Sequence, residues 1–387
     1  MGSIRRQFGC YAQAAVAMLL LARPGQAAEL PGLVETWDTV PYRPYDVVVL
    51  ADGSPWFTAD DSVFTIDPAT GAVSAYTLIV PPMAAAPQFW TLAVDGDGIL
   101  WIADGADRLV RFDPVTHAFT ALDLPTPLFT LPASPFGVEV AADGAIWFTC
   151  QTDRSLGRYD PVGGMFQRFA PMGDLPAPPV EIAFDAAGLV YFTLRSESGS
   201  PAGLGRYDPV LDTFDFWLNP YTGVTSPFGI VRVGTQFWFL DHHAGRLVRF
   251  DPGDETFHPI PTPPELFDPH LLVADPAGRL WFTAYGTSRL GRFDPATSSF
   301  LWADMPSTDA HPIGIARSAD GTVWWAQTGR QRTDIGVGVG RYTVARPQVA
   351  PALDALGLLG AAGVLTAIGL AALRRARRRA DAVIPGR

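Results

Sequence analysis

LLVADPAGRLWFTAYGTSRLGRFDPATSSFLWA, residues 271–303, holds four apolar runs separated by turn residues. Leu271–Ala274, Leu280–Thr283, Leu290–Phe293 and Phe300–Ala303 have the length and the β-branched and aromatic content of strands, not helices. Asp275-Pro276-Ala277-Gly278 and Asp294-Pro295-Ala296-Thr297 lie between them. Asp accepts hydrogen bonds from the local backbone, Pro presets φ and Gly takes positive φ, so both tetrapeptides read as hairpin turns. The phrase recurs along the chain. Its leading aromatics are Trp56, Trp101, Trp147, Tyr191, Trp238, Trp281 and Trp324, spaced 43 to 47 residues apart. Asp-Pro corners follow the first six, at Asp67, Asp113, Asp160, Asp208, Asp251 and Asp294. A fixed period of this size, built from short strands, predicts an all-β propeller of seven four-stranded blades.

The last phrase ends at Gly340-Arg341-Tyr342 without an Asp-Pro corner or an outer strand. Leu33–Thr39, with Trp37, resembles the outer strands around Trp217 and Trp302. It is expected beside the last blade, closing the ring and leaving no open edge. That places the propeller over residues 29–346 and predicts a monomeric body. The Trp-Phe pairs read as blade-to-blade packing. Hairpins carrying Gly and Asp-Pro share the bottom face. The long connections Arg195–Ala202 and Gln327–Val337 fall on top, as do the Pro-rich crossings Leu124–Pro135 and Pro259–Pro269. Elaboration of one face points to binding there.

Both ends read as targeting segments. Arg5 and Arg6, the apolar run Ala14–Ala22 and the small residues at Gly25-Gln26-Ala27 predict a signal peptide over residues 1–28, with the Sec and twin-arginine routes both open. Cys10 precedes the apolar run and is not placed as a lipoprotein cysteine. After a linker at 347–354, residues 355–373 carry no charge and are long enough to span a bilayer. The basic tail 374–387 then predicts a cytoplasmic C-terminus and a propeller outside the inner membrane. Pro351-Ala352-Leu353 ahead of this segment also resembles bacterial C-terminal sorting tails. Every basic residue is Arg, and residues 29–345 keep 18 of the 28 arginines and 37 of the 39 acidic residues, a net charge of −19. Such a surface repels phosphate backbones and excludes nucleic acid as a partner. Cys150 is the one cysteine of the body, so no disulfide within it is expected.

Pro-x-Gly-Ile before an innermost strand and Gly-x-x-Trp-Phe-Thr in a second strand resemble the virginiamycin B lyase (streptogramin lyase) family over about residues 33–345. The resemblance implies a seven-bladed propeller that opens a cyclic depsipeptide by elimination, with a histidine base and a magnesium ion held by glutamates on the top face. Asp268-Pro269-His270 matches the family's Glu-x-His, which makes His270 the candidate base and Asp268 a shortened metal ligand. The second metal carboxylate, expected after Trp-Phe-Thr in the same blade, is replaced by Ala284. The substrate-facing histidine of blade five is replaced by Phe228. Magnesium needs an oxygen-rich array of ligands, so the loss of a carboxylate weakens that expectation.

Reading the position after each Trp-Phe-Thr around the ring gives Ala59, Asp104, Cys150, Leu194, Asp241, Ala284 and Gln327. Asp241, with His242 and His243 after it, is expected to converge with Asp268, His270 and Asp309 or His311, making Asp241 a second candidate metal ligand. A second ring reads Trp90, Phe136, Val180, Phe228, His270 and Ile313, an aromatic funnel with one imidazole. Trp90, Phe136, Phe228, His242, His243, Asp309 and His311 are thus candidate ligand contacts. Two functions follow. One is an exported, membrane-tethered propeller that binds a peptide, glycan or protein ligand on its top face without lyase activity. The alternative is a magnesium-assisted carbon–oxygen lyase in which His270 acts as base at a rearranged metal site.

Overall fold

A computed structural model describes residues 28–39, 41–197, 200–221, 223–224, 226–329 and 336–344. Residues 1–27 of the expected signal peptide 1–28, the expected linker 347–354, the apolar segment 355–373 and the basic tail 374–387 lie outside the described residues. Among the described residues no helix is long and apolar enough to cross a membrane.

Seven antiparallel sheets form the ring, each with four strands of one blade, and one of them has a short fifth strand. Blade six runs Pro269–Ala274, Leu280–Ala284, Arg289–Asp294 and Ser299–Asp304 from the inside outwards. The expected clasp is present: Gly32–Asp38 pairs antiparallel with Val337–Val344 as the outer strand of blade seven. Arg341 reinforces it through Glu35 at 2.7 Å. Ahead of the clasp, Ala28–Glu29 pairs in parallel with Leu301 and Trp302 of blade six, so the first described residues tie two blades together.

The turn chemistry explains why these strands stop where they do. At all six Asp-Pro corners the Asp side chain accepts the backbone N–H two residues on, at 2.8 to 3.0 Å. In the inner hairpin of blade six, Asp275 accepts from Ala277 and Arg279 backbone N–H groups at 3.0 Å and from the Trp281 indole at 3.3 Å.

The leading aromatic of each of the first six phrases meets a third-strand aromatic of the next blade, as in Trp56–Phe112, Trp101–Tyr159, Trp147–Tyr207, Tyr191–Phe250, Trp238–Phe293 and Trp281–Tyr342. The Thr of the phrase has a separate task. Thr58, Thr149, Thr193 and Thr283 donate their hydroxyls to the carbonyls of Trp90, Val180, Phe228 and Ile313 in the neighbouring blade, at 2.6 to 2.9 Å. Blades are therefore joined by aromatic area on the outside and by buried hydrogen bonds near the channel.

Candidate functional site

Each innermost strand starts at the top rim with a one-residue irregularity in its pairing, as between Pro135 and Val138 or Pro269 and Leu272. The second residue of these strands forms the floor of the top face. Ring centroids are 4.9 Å apart for Tyr45–Trp90, 5.4 Å for Trp90–Phe136, 5.7 Å for Phe136–Phe228 and 5.3 Å for Phe228–His270. Phe136 and Phe228 are buried, and so are Val180 and Ile313 from the same circle. A hollow of about 280 Å³ opens over this floor between Tyr45, Trp90, Tyr285 and Ile313.

Beneath the floor the channel carries three carboxylates, Asp46, Glu139 and Glu181, in a second hollow of about 280 Å³. Burial pushes the Asp46 carboxyl up to about 7, and desolvation by the surrounding channel walls pushes Glu139 up to about 7. Burial with the charges of Asp46 and Glu139 holds Glu181 well above the usual carboxylate range. Glu139 lines this hollow and is exposed to the channel's own solvent. Asp46 is tighter, with Oδ2 accepting the Leu92 N–H of the next blade at 3.2 Å.

At the rim of the floor, blades five and six bring His242, Asp268 and His270 together, with one ligand-capable atom from each inside a 4.8 Å circle. His242 Nδ1 lies 2.9 Å from Asp268 Oδ1 and its Nε2 lies 2.8 Å from Ser226 Oγ. His270 Nε2 is 3.8 Å from the same Asp268 oxygen, and its Nδ1 is buried without a partner. The His270 ring stacks on Tyr285 at 4.8 Å and stands 4.7 Å from the ring of His242. Burial raises the Asp268 carboxyl, but the hydrogen bond from His242 and the nearby His270 imidazole outweigh it and hold the group well below the usual carboxylate range. Burial lowers His242, against the opposing pull of Asp268. A neutral His242 beside an ionised Asp268 is the state consistent with both shifts. An ionised carboxylate only accepts, so Nδ1 carries the imidazole proton and Nε2 accepts the Ser226 hydroxyl.

The other expected residues sit around this cluster or apart from it. His243 is exposed, its ring 3.8 Å from that of His242. His311 reaches the rim from blade seven, with Nδ1 3.2 Å from the Tyr285 carbonyl and its ring 4.7 Å from the Tyr285 ring. Asp309 is half-buried beside it and its backbone N–H donates to Ser307. Asp241 stays outside the group of three. Its carboxylate is fully buried and accepts the Ser226 N–H at 2.8 Å and the Tyr221 hydroxyl at 3.1 Å. Asp104 does the same in blade two, accepting the Gln88 N–H at 2.7 Å and pairing with Arg108 at 2.7 Å. Asp241 is therefore a brace for the segment leading into its blade.

Sequence reasoning followed the position after Trp-Phe-Thr, and that whole ring is buried, at 0–4% exposure. The working position is one residue further on. There, six blades close a backbone bond to the residue before the innermost strand: Gly105 to Gln88, Gln151 to Ser134, Arg195 to Pro178, His242 to Ser226, Tyr285 to Asp268 and Thr328 to His311. Reading these pairs around the ring would have singled out Ser226 and Tyr285. Tyr45, the floor residue of blade one, was signalled by Pro44-Tyr45, which has the same frame as Pro135-Phe136 and Pro227-Phe228.

The site does not fit the magnesium that the resemblance implies. Ala284 is fully buried in an apolar cluster with Leu240, Leu247, Leu266 and Phe282, so the place of the second carboxylate is filled by packing. Asp268 is the one carboxylate in the cluster, and two imidazoles share it. Magnesium demands oxygen ligands in octahedral array, and this donor set is nitrogen-rich.

The comparisons with known proteins agree with the fold. A streptogramin B lyase structure matches with 20% identity and a TM-score of 0.68, over 81% of this chain and 97% of that one. The virginiamycin B lyase of Staphylococcus aureus matches with 20% identity and a TM-score of 0.67, over 80% and 99%. A catalytically inactive variant of the Staphylococcus aureus enzyme with quinupristin matches at 21% identity and a TM-score of 0.66, again over 80% and 99%. No curated protein matches this chain. The model of the virginiamycin B lyase family matches residues 34–335, from the clasp to the last blade. With that match spanning most of its length, the chain belongs to the virginiamycin B lyase family.

Proposed function

We propose that this protein is an exported propeller, held at the membrane by residues 355–373, that captures an apolar, peptide-like ligand on its top face and does not carry out magnesium-assisted elimination. The filled pocket at Ala284 carries this reading, because it removes both a hard ligand and the local charge that would hold the ion. The floor supports the binding half. Its aromatic rings offer flat apolar area, while His242, Asp268, His270 and Tyr285 offer polar contacts at one edge. The lyase alternative, with His270 as base, retains an imidazole with a buried, unpartnered nitrogen but only one of the two carboxylates.

Quinupristin, which a relative's structure contains, is a suitable probe. Calorimetric titration of the full chain is expected to show binding whose affinity is the same with and without millimolar magnesium. Phe228→Ala, which opens the floor, should weaken it at least tenfold, about 1.4 kcal/mol. Binding that needs magnesium, or that is indifferent to Phe228, would count against the reading. Cell fractionation tests the location: recovery of the propeller in the soluble cytoplasm would overturn export.

A further inference from the structure

We infer that Ser226, His242 and Asp268 form a nucleophilic relay, giving the top face an acyl-transfer activity towards esters with an apolar acyl group. Ser226 Oγ lies 2.8 Å from His242 Nε2, and His242 Nδ1 lies 2.9 Å from Asp268 Oδ1. That is the order of contacts by which a base activates a serine and a carboxylate fixes the imidazole's tautomer and orientation. All three side chains are sheltered, Ser226 at 6% and His242 at 8% exposure.

The fold does not require this chain of side chains. The backbone bond from His242 N–H to the Ser226 carbonyl has counterparts in five other blades, where the paired residues are Gln88 and Gly105, Ser134 and Gln151, Pro178 and Arg195, Asp268 and Tyr285, or His311 and Thr328. The frame closes with any of these side chains. Blade seven also pairs a hydroxyl with an imidazole, but Thr328 Oγ1 donates to the His311 carbonyl at 3.0 Å and His311 Nδ1 faces the Tyr285 carbonyl. Among the described pairs, hydroxyl and imidazole ring meet in blade five, whose neighbour supplies Asp268 at the adjoining corner. Asp268 takes φ 57° there, a left-handed conformation that Asp tolerates better than most residues. Ser226 is also doubly fixed, since its N–H donates to Asp241 at 2.8 Å and its carbonyl accepts from His242 at 3.2 Å.

In the step itself, Ser226 Oγ bonds to the acyl carbon while its proton passes to His242 Nε2. The tetrahedral oxyanion collapses, the bond to the leaving alkoxide breaks, and that oxygen takes the proton from Nε2. Water, activated by the same nitrogen, then releases the carboxylic acid and restores the Ser226 hydroxyl. Asp268 acts through His242 as a positioning residue. His270, 4.7 Å ring to ring from His242 and with an unpartnered buried nitrogen, is the group in this cluster available to meet the developing negative charge. The aromatic floor selects the acyl portion, and that preference rests on the proposed binding function; the nucleophile itself does not.

The test uses the full chain, a fluorophosphonate probe and p-nitrophenyl esters of acetic, butyric and phenylacetic acid. Peptide mapping should place the phosphonate on Ser226. Ser226→Ala, which leaves the backbone frame intact, should abolish labelling and lower ester hydrolysis about a thousandfold or more. Ser134→Ala, at the same frame position in blade three, should label like wild type. Asp268→Asn should slow labelling, and Asp268→Glu, which keeps the carboxylate, should recover part of the rate. No labelling of a chain whose far-ultraviolet circular dichroism is native would overturn the inference, as would labelling that survives Ser226→Ala. Because the small probe needs no floor, it separates failure of the relay from failure of ligand capture.

Discussion

Replacing Asp46 with Asn should stabilise the propeller at neutral pH and leave it unchanged in acid. Asp46 is buried at the first strand of blade one, 8% exposed, and burial lifts its carboxyl to about 7, with the charge of Glu139 adding to the rise. In the unfolded chain the same group titrates near ~3.9. A folded-state value above the unfolded one means that the native protein holds the proton more tightly. Its stability contribution is therefore complete below ~4 and is lost as the pH rises to ~7. About three pH units at 1.36 kcal/mol each give a ceiling of about 4 kcal/mol, which water in the channel reduces to about 2–4. Asn cannot ionise, and its amide oxygen can still accept the Leu92 N–H that Asp46 holds at 3.2 Å. Urea unfolding followed by tryptophan fluorescence, with unchanged m-values, should give equal stabilities at about pH 4 and a variant more stable by about 2–4 kcal/mol at about pH 8. A difference independent of pH, or a variant weaker at about pH 8, would refute the claim that Asp46 is charged at a cost inside the channel.

Three further outcomes follow from the packing. Thr283→Val removes the 2.7 Å bond to the Ile313 carbonyl and leaves that buried acceptor unpaired, which should cost about 1–3 kcal/mol in denaturant unfolding. Ala284→Glu puts a carboxylate among Leu240, Leu266 and Phe282, so it should destabilise the fold by about 2 kcal/mol or more and gain no thermal protection from magnesium. Cys150 is fully buried and burial pushes its thiol well up, so a thiol reagent should modify it only after unfolding, which a colorimetric thiol assay reads directly.

Much of the architecture was legible in the sequence because its determinants are local. An Asp-Pro corner carries its own acceptor, as the six side-chain bonds at 2.8 to 3.0 Å show, and the period of the leading aromatics counts the blades. Closure was legible because blade seven lacked a strand and Leu33–Thr39 matched the missing one. The parallel pairing of Ala28–Glu29 was not, since two residues carry no periodicity. The site was only half legible. His270, Asp268 and His242 do meet, but Asp241 turns inward to brace Ser226 while Ser226 itself joins the imidazole. A one-residue difference along a strand end decides which side chain reaches the rim, and pairing across two blades decides what it meets there. Neither is encoded in the spacing of the repeat.

The most direct test of the account is the fate of quinupristin incubated with the full chain and millimolar magnesium, followed by chromatography and mass spectrometry. Elimination would open the ring to an isomer of unchanged mass, whereas hydrolysis would add the mass of one water. The account predicts that no isomeric product forms at any magnesium concentration. An isomeric ring-opened product that requires magnesium and disappears in His270→Ala would contradict it.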